Sequence, residues 1–265
     1  MKNVALFLLV VLMMACNHSI TNSVAETLSE NFTTPLPEVA FTPPLAIYLI
    51  ADGSGSGLIK YAIPQLDTAK VKNVFNLIAN NGGGRLYLNQ VDANAANNEL
   101  ISINVPAIPK PPVLREKLVG EQKYQYEKEE KAYDAAHKIY ETKRDSIEQA
   151  LKTIWNINLS KIQDLISNSY SKRTRVEDYS DVVGLLNSAQ RSLNVLPRNY
   201  LKFIVALSDL EHDTKSNSEA KVSIGKDTHI IRINASDSGS PVVEAIEIDT
   251  YENALTYILN NLNSK

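Results

Sequence analysis

Apolar residues fall along this chain in two rhythms, and their alternation indicates the fold. Leu45 to Ala51 is a near-continuous apolar run, as a strand covered on both faces requires. Between Asp67 and Ala79, the residues Val71, Val74, Phe75 and Ile78 recur at helical spacing. Gly82-Gly83-Gly84 ends that helix and opens a second strand, Arg85 to Val91, since consecutive glycines break regular structure. Leu100 to Ile108 alternates after an Asn/Ala-rich turn and reads as a hairpin partner. Farther on, Ser180 to Leu193 is amphipathic through Val182, Val183, Leu186, Ala189 and Leu193, and Leu201 to Leu207 has the pattern of a central strand. His229 to Asn234 and Val242 to Ile248 read as two more strands. Tyr251 to Leu262 reads as a closing helix, with Asp249-Thr250 as its cap. Strands alternating with helices predict an α/β fold: an open, mostly parallel sheet covered by helices on both faces.

Residues 110–170 interrupt this rhythm. After Pro109, Pro111 and Pro112 comes a long stretch rich in Lys, Glu and Tyr, without internal proline. Leu114, Leu118, Tyr133, Ala136, Ile139, Tyr140, Ile147, Leu151, Ile154, Ile162 and Leu165 recur mostly at three- and four-residue steps. One helix over this stretch would be roughly 85 Å long at 1.5 Å per residue; an antiparallel helical hairpin satisfies the same spacing. Its plain reading is a solvated helical arm with a modest apolar stripe, and its sharper one a partner-binding arm.

The first residues bear on compartment. Lys2 precedes an apolar run, Val4 to Met14, and then Ala15 and Cys16, the single cysteine. A basic start, a short apolar core and a small residue before a cleavage point describe a secretory signal over residues 1–15. The run is too short for the ~20 residues that a membrane-spanning helix needs. Met13-Met14-Ala15-Cys16 resembles a bacterial lipobox, with Met13 where leucine is commonest. The resemblance implies that Cys16 is lipidated and that the protein is anchored at the cell envelope, on the outer membrane in a Gram-negative cell. Residues 16–44, rich in Ser, Thr, Asn and Pro, read as a tether that buries no core. Residues 45–109 and 171–265 then form the two parts of one domain, with 110–170 inserted between them.

Composition narrows the chemistry. A single cysteine allows no intrachain disulfide and no cysteine-rich zinc site. The four histidines lack metal-ligand spacing, and a net charge of −3 gives no electrostatic case for nucleic acid. In open α/β sheets, ligands bind outside the carboxyl ends of the strands. The first strand is followed by Asp52-Gly53-Ser54-Gly55-Ser56, the central strand by Ser208-Asp209, and Tyr179-Ser180-Asp181 opens the amphipathic helix between them. These loops offer carboxylates and hydroxyls, hard oxygen ligands suited to Mg²⁺, with Ca²⁺ and Mn²⁺ as alternatives.

Asp52-x-Ser54-x-Ser56 after a buried strand resembles the metal-ion-dependent adhesion site of von Willebrand factor A domains, which have a Rossmann-like fold. The resemblance covers roughly residues 45–109 and 171–262. It implies a divalent cation held by Asp52, Ser54, Ser56, Ser180 and Asp209. Ser180 replaces the family's threonine, and Leu210 stands where the family often has glycine. The site would dock an acidic side chain of a protein partner. The expected function is therefore adhesion or assembly at the envelope, with no catalysis and no nucleic acid. Two other classes remain as expectations. One is a metal-dependent phosphohydrolase using Asp52, against which Ser54 stands where a second aspartate is wanted. Serine hydrolysis has only His212 and His229 to offer as bases. The other is a structural envelope protein that acts through its helical arm.

Overall fold

The computed structural model describes residues 42–53, 63–91, 100–114, 116, 123–171, 181–211, 222–233 and 242–263. The signal segment, Cys16 and nearly all of the tether lie outside the described residues. The described residues form six strands in one sheet: β1 (Leu45–Ala51), β2 (Gly84–Gln90), β3 (Ile101–Val105), β4 (Leu201–Leu207), β5 (Thr228–Ile233) and β6 (Ile246–Ile248). Their spatial order is β3-β2-β1-β4-β5-β6. All neighbours are parallel except β2 and β3, which pair as the antiparallel hairpin expected from the alternation at 100–108. The α/β class and the open, mostly parallel sheet therefore stand.

Among the described residues four helices cover the sheet: α1 (Thr68–Asn80), α2 (Lys123–Ser171), α3 (Val182–Asn194) and α4 (Tyr251–Asn263). Alternate residues of β1 separate the two faces, because strand side chains point up and down in turn. Leu45, Ile47 and Leu49 share a core with Val71 and Phe75 of α1, Trp155 and Ile162 of α2, and Ala254 and Ile258 of α4. Ala46, Tyr48 and Ile50 share the other with Val182, Leu185, Leu186 and Ala189 of α3. One face thus carries three helices and the other carries α3, extended over β4 and β5 by Leu210, Val222, Ile224 and Val242. All seven residues of β1, and all seven of β4, are buried.

Caps define the helix starts. Asp67 accepts from the Lys70 amide at 2.7 Å and Asp181 from the Gly184 amide at 2.8 Å. The Thr250 hydroxyl accepts from the Asn253 amide at 3.1 Å, as the expected cap requires. Helix α3 accordingly begins at Val182, two residues later than the hydrophobic pattern suggests. Strand β6 is shorter than its apolar run: Val242 packs on the α3 side, and its amide donates to the Leu210 carbonyl at 3.1 Å instead of to the sheet. Gly84, at φ +144°, is fixed by close approach, since a Cβ there would lie 1.8 Å from the Leu45 carbonyl oxygen.

The long stretch is one helix, not a hairpin. Its 49 residues extend about 74 Å at 1.5 Å per residue. From Ile147 onward its apolar stripe joins the core, with Leu151, Trp155, Ile162 and Leu165 buried. Trp155 meets Phe75 edge-on with ring centroids 5.5 Å apart, and Lys72 Nζ lies 4.2 Å from the Trp155 ring, a cation–π arrangement. The Leu66 amide donates to the Tyr170 hydroxyl at 2.6 Å. Toward the helix start the side chains are exposed or half-exposed; Tyr124 and Ile139 are among the exposed. There Tyr133, His137 and Tyr140 stack on one another, with ring centroids 5.6 and 5.8 Å apart. None of the described helices is long and apolar enough to cross a membrane.

The two halves of α2 should respond differently to truncation. Trp155→Ala removes a core ring and should cost about 3–5 kcal/mol. Ile139→Ala, on the exposed half, should change stability by less than ~0.5 kcal/mol. Urea denaturation followed by circular dichroism measures both; equal losses would mean that the exposed half is packed too.

Candidate functional site

The strand order places a reversal at the centre of the sheet. From β1 the chain moves outward to β2 and β3, then returns to lay β4 on the opposite side of β1. The carboxyl ends of β1 and β4 therefore lie at a switch point of strand order, the usual ligand position in such sheets. The register brings Ala51 opposite Leu207. The next residues, Asp52 and Ser208, are thus adjacent at this rim of the sheet.

Their side chains meet. The Ser208 hydroxyl donates to Asp52 Oδ2 at 2.6 Å, and the Asp52 amide donates to the Leu207 carbonyl at 3.2 Å. Asp52 and Asp209 are each 1% exposed, and Ser208 is fully buried. The Asp209 carboxylate divides its roles. Oδ1 accepts from the Glu211 amide at 3.0 Å, a short local turn. Oδ2 is buried and has no hydrogen-bond partner among the described residues. Leaving such an oxygen unsatisfied costs on the order of 1–3 kcal/mol, more for a charged group, and a cation or a water is the kind of partner that would relieve it. The donor chemistry agrees, since Asp52 and Asp209 supply only hard oxygens.

Of the five expected ligands, the structure describes two, Asp52 and Asp209, both at the rim between β1 and β4. Ser54, Ser56 and Ser180 lie outside the described residues. The flanking residues are informative for the third loop. At the end of α2, the Ser169 hydroxyl lies 2.8 Å from Gln90 Oε1, at the carboxyl end of β2. From there the chain passes to Asp181, which caps α3. Six residues join the end of α3 to the start of β4, so α3 runs back antiparallel to the strands and begins toward the carboxyl rim. Gly184 admits the cap: a Cβ there would fall 2.1 Å from Asp181 Oδ2. Among the described residues no three His, Cys, Asp or Glu side chains gather as metal ligands; the expected set draws on hydroxyls as much as on carboxylates.

Sequence reasoning gave no role to Ser208, Arg232 or Glu247. Arg232 is buried in β5, donates from Nη1 to the Asp209 carbonyl at 3.0 Å, and pairs through Nη2 with Glu247 of β6. An arginine inside an otherwise apolar parallel strand was the available signal, because a buried guanidinium needs partners. Leu210 is buried at φ +57°. Glycine would take this left-handed backbone without strain. Tyr48 lies in the core beneath α3. Its hydroxyl accepts from Asn89 Nδ2 at 3.1 Å, and burial pushes its pKa up to about 12. That phenol stays protonated and serves the core.

No protein-family model matches the chain, and no curated protein matches it.

Ser208→Ala tests the join between the two strands. It removes the Asp52 donor and the acceptor of the Leu210 amide, which is 3.0 Å from Ser208 Oγ. A loss of about 1–3 kcal/mol is expected. Chemical denaturation reads it, and an unchanged midpoint would mean that the hydroxyl holds neither group.

Proposed function

We propose that this protein is a metal-dependent binding module that presents a divalent cation, Mg²⁺ in the first instance, to an acidic side chain of a protein partner. The observation that carries this reading is the buried, unpartnered Asp209 Oδ2 beside the Asp52–Ser208 pair at the switch point of the sheet. Asp52 and Asp209, with the hydroxyls of Ser54, Ser56 and Ser180, are the residues that would hold the ion. When bound, the cation supplies an electrophilic position from which a carboxylate displaces water. The protein's own contribution is preorganisation. Two parallel strands fix the carboxylates, and the Ser208 hydroxyl occupies Asp52 Oδ2.

The same reading attaches the module to a bacterial cell envelope through lipid on Cys16, with the Pro-rich segment as tether. It assigns no catalysis. Asp52 and Asp209 are assigned to the cation instead. His229, the one described candidate base, stacks on Phe203 and meets Tyr257 edge-on, with ring centroids 5.1 and 6.3 Å away.

Isothermal titration of the protein with MgCl₂ tests the proposal. The wild type should give saturable heats, and the Asp52→Ala/Ser54→Ala double variant should give none. Identical heats for the two proteins, or none from the wild type, would defeat the cation reading.

A further inference from the structure

The turn after β4 contains one peptide unit gripped at both ends. The bond between Asp209 and Leu210 presents its carbonyl to Arg232 Nη1 at 3.0 Å and its N–H to Ser208 Oγ at 3.0 Å. Rotation of that peptide plane changes ψ of Asp209 and φ of Leu210 together. The clamp therefore sets whether Leu210 keeps φ +57°. For a leucine this left-handed conformation costs roughly 1–2 kcal/mol. Left alone, the peptide would flip to negative φ, turn the Asp209 carbonyl away and re-aim the Asp209 side chain. The grip reaches both carboxylates, since Ser208 also donates to Asp52 Oδ2. On the far side it is anchored by Glu247, half-exposed on β6, which pairs with the Arg232 guanidinium.

We propose that Arg232 is a positioning residue of the cation site: by holding the Asp209 carbonyl it keeps Leu210 left-handed and the Asp209 carboxylate available to a ligand. This rests on the cation reading above and extends it to a residue outside the ligand set. Arg232 acts through the Asp209 backbone carbonyl and is not itself placed on the ion, so its effect is on affinity. Supporting residues of metal sites typically contribute ten- to a hundredfold in affinity.

The test pairs Arg232→Gln with a rescue. Mg²⁺ affinity is measured by isothermal titration, and the folded fraction at the same temperature by far-ultraviolet circular dichroism. Arg232→Gln should remain folded and bind Mg²⁺ about ten- to a hundredfold more weakly. Glycine adopts positive φ without strain, so adding Leu210→Gly should restore much of the lost affinity. That second change also removes a buried leucine, so thermal stability should fall further while affinity rises. A merely structural role would move the two together. Unchanged affinity in folded Arg232→Gln, or no recovery in the double variant, would overturn the proposal. Should Arg232→Gln fail to fold, Glu247→Gln carries the test. It loosens the guanidinium from a half-exposed position and should weaken binding several-fold, and unchanged affinity would overturn the proposal equally. Absence of Mg²⁺ binding by the wild type defeats the cation reading, and this inference with it; wild-type binding with unaltered variants defeats only the inference.

Discussion

The parallel pairing of β1 with β4 is the constraint on which the remaining structure depends. These strands are adjacent in space yet separated by about 150 residues of chain, and every residue of both is buried. Their pairing makes the sheet continuous, gives it an interior covered on both faces, and places a reversal of strand order at its centre. It also dictates the chemistry at the rim. A register that sets Ala51 against Leu207 must bring Asp52 beside Ser208, and a carboxylate there would be costly without a donor. The Ser208 hydroxyl provides one at 2.6 Å. Strand pairing and the polar contact at its end therefore support each other.

Beyond that contact, polar groups of the turn are satisfied one after another. Leu210 N–H reaches Ser208, Asp209 C=O reaches Arg232, Leu210 C=O reaches Val242, and Asp209 Oδ1 takes the Glu211 amide. Against this background Asp209 Oδ2 stands apart as buried and unpartnered among the described residues. A turn that satisfies these polar groups and holds a leucine in a left-handed backbone maintains a specific shape at a cost. Strain of this kind concentrates at functional sites, and here it lies next to the carboxylate for which a cation is proposed.

Much of the fold was legible in the sequence because burial writes itself into periodicity. The near-continuous run Leu45 to Ala51 read as a strand with two covered faces, and the Gly82–Gly84 stop, the β2–β3 hairpin and the closing helix were read from pattern in the same way. Residues 123–171 were harder, since a three-and-four spacing cannot distinguish a straight helix from a hairpin. What resolves it is tertiary: the stripe from Ile147 to Leu165 packs on the sheet, while the part toward Lys123 is exposed. The carboxylates of the candidate site were legible from position, as residues that follow strands. Their supports were not. Ser208 needs the β1–β4 register before its hydroxyl has a partner, and Arg232 matters through a backbone carbonyl that no residue identity encodes. Leu210 is informative only through its φ angle.

The central claim is spatial: Asp52 and Asp209, contributed by two strands far apart in sequence, share one hard cation. Crystals grown with MnCl₂ and measured at an energy where manganese scatters anomalously test it most directly. The expected result is one anomalous peak at the rim between the ends of β1 and β4, within reach of both carboxylates directly or through a single water. A peak elsewhere, or none at this rim with Asp209 Oδ2 turned toward a protein donor, would contradict it.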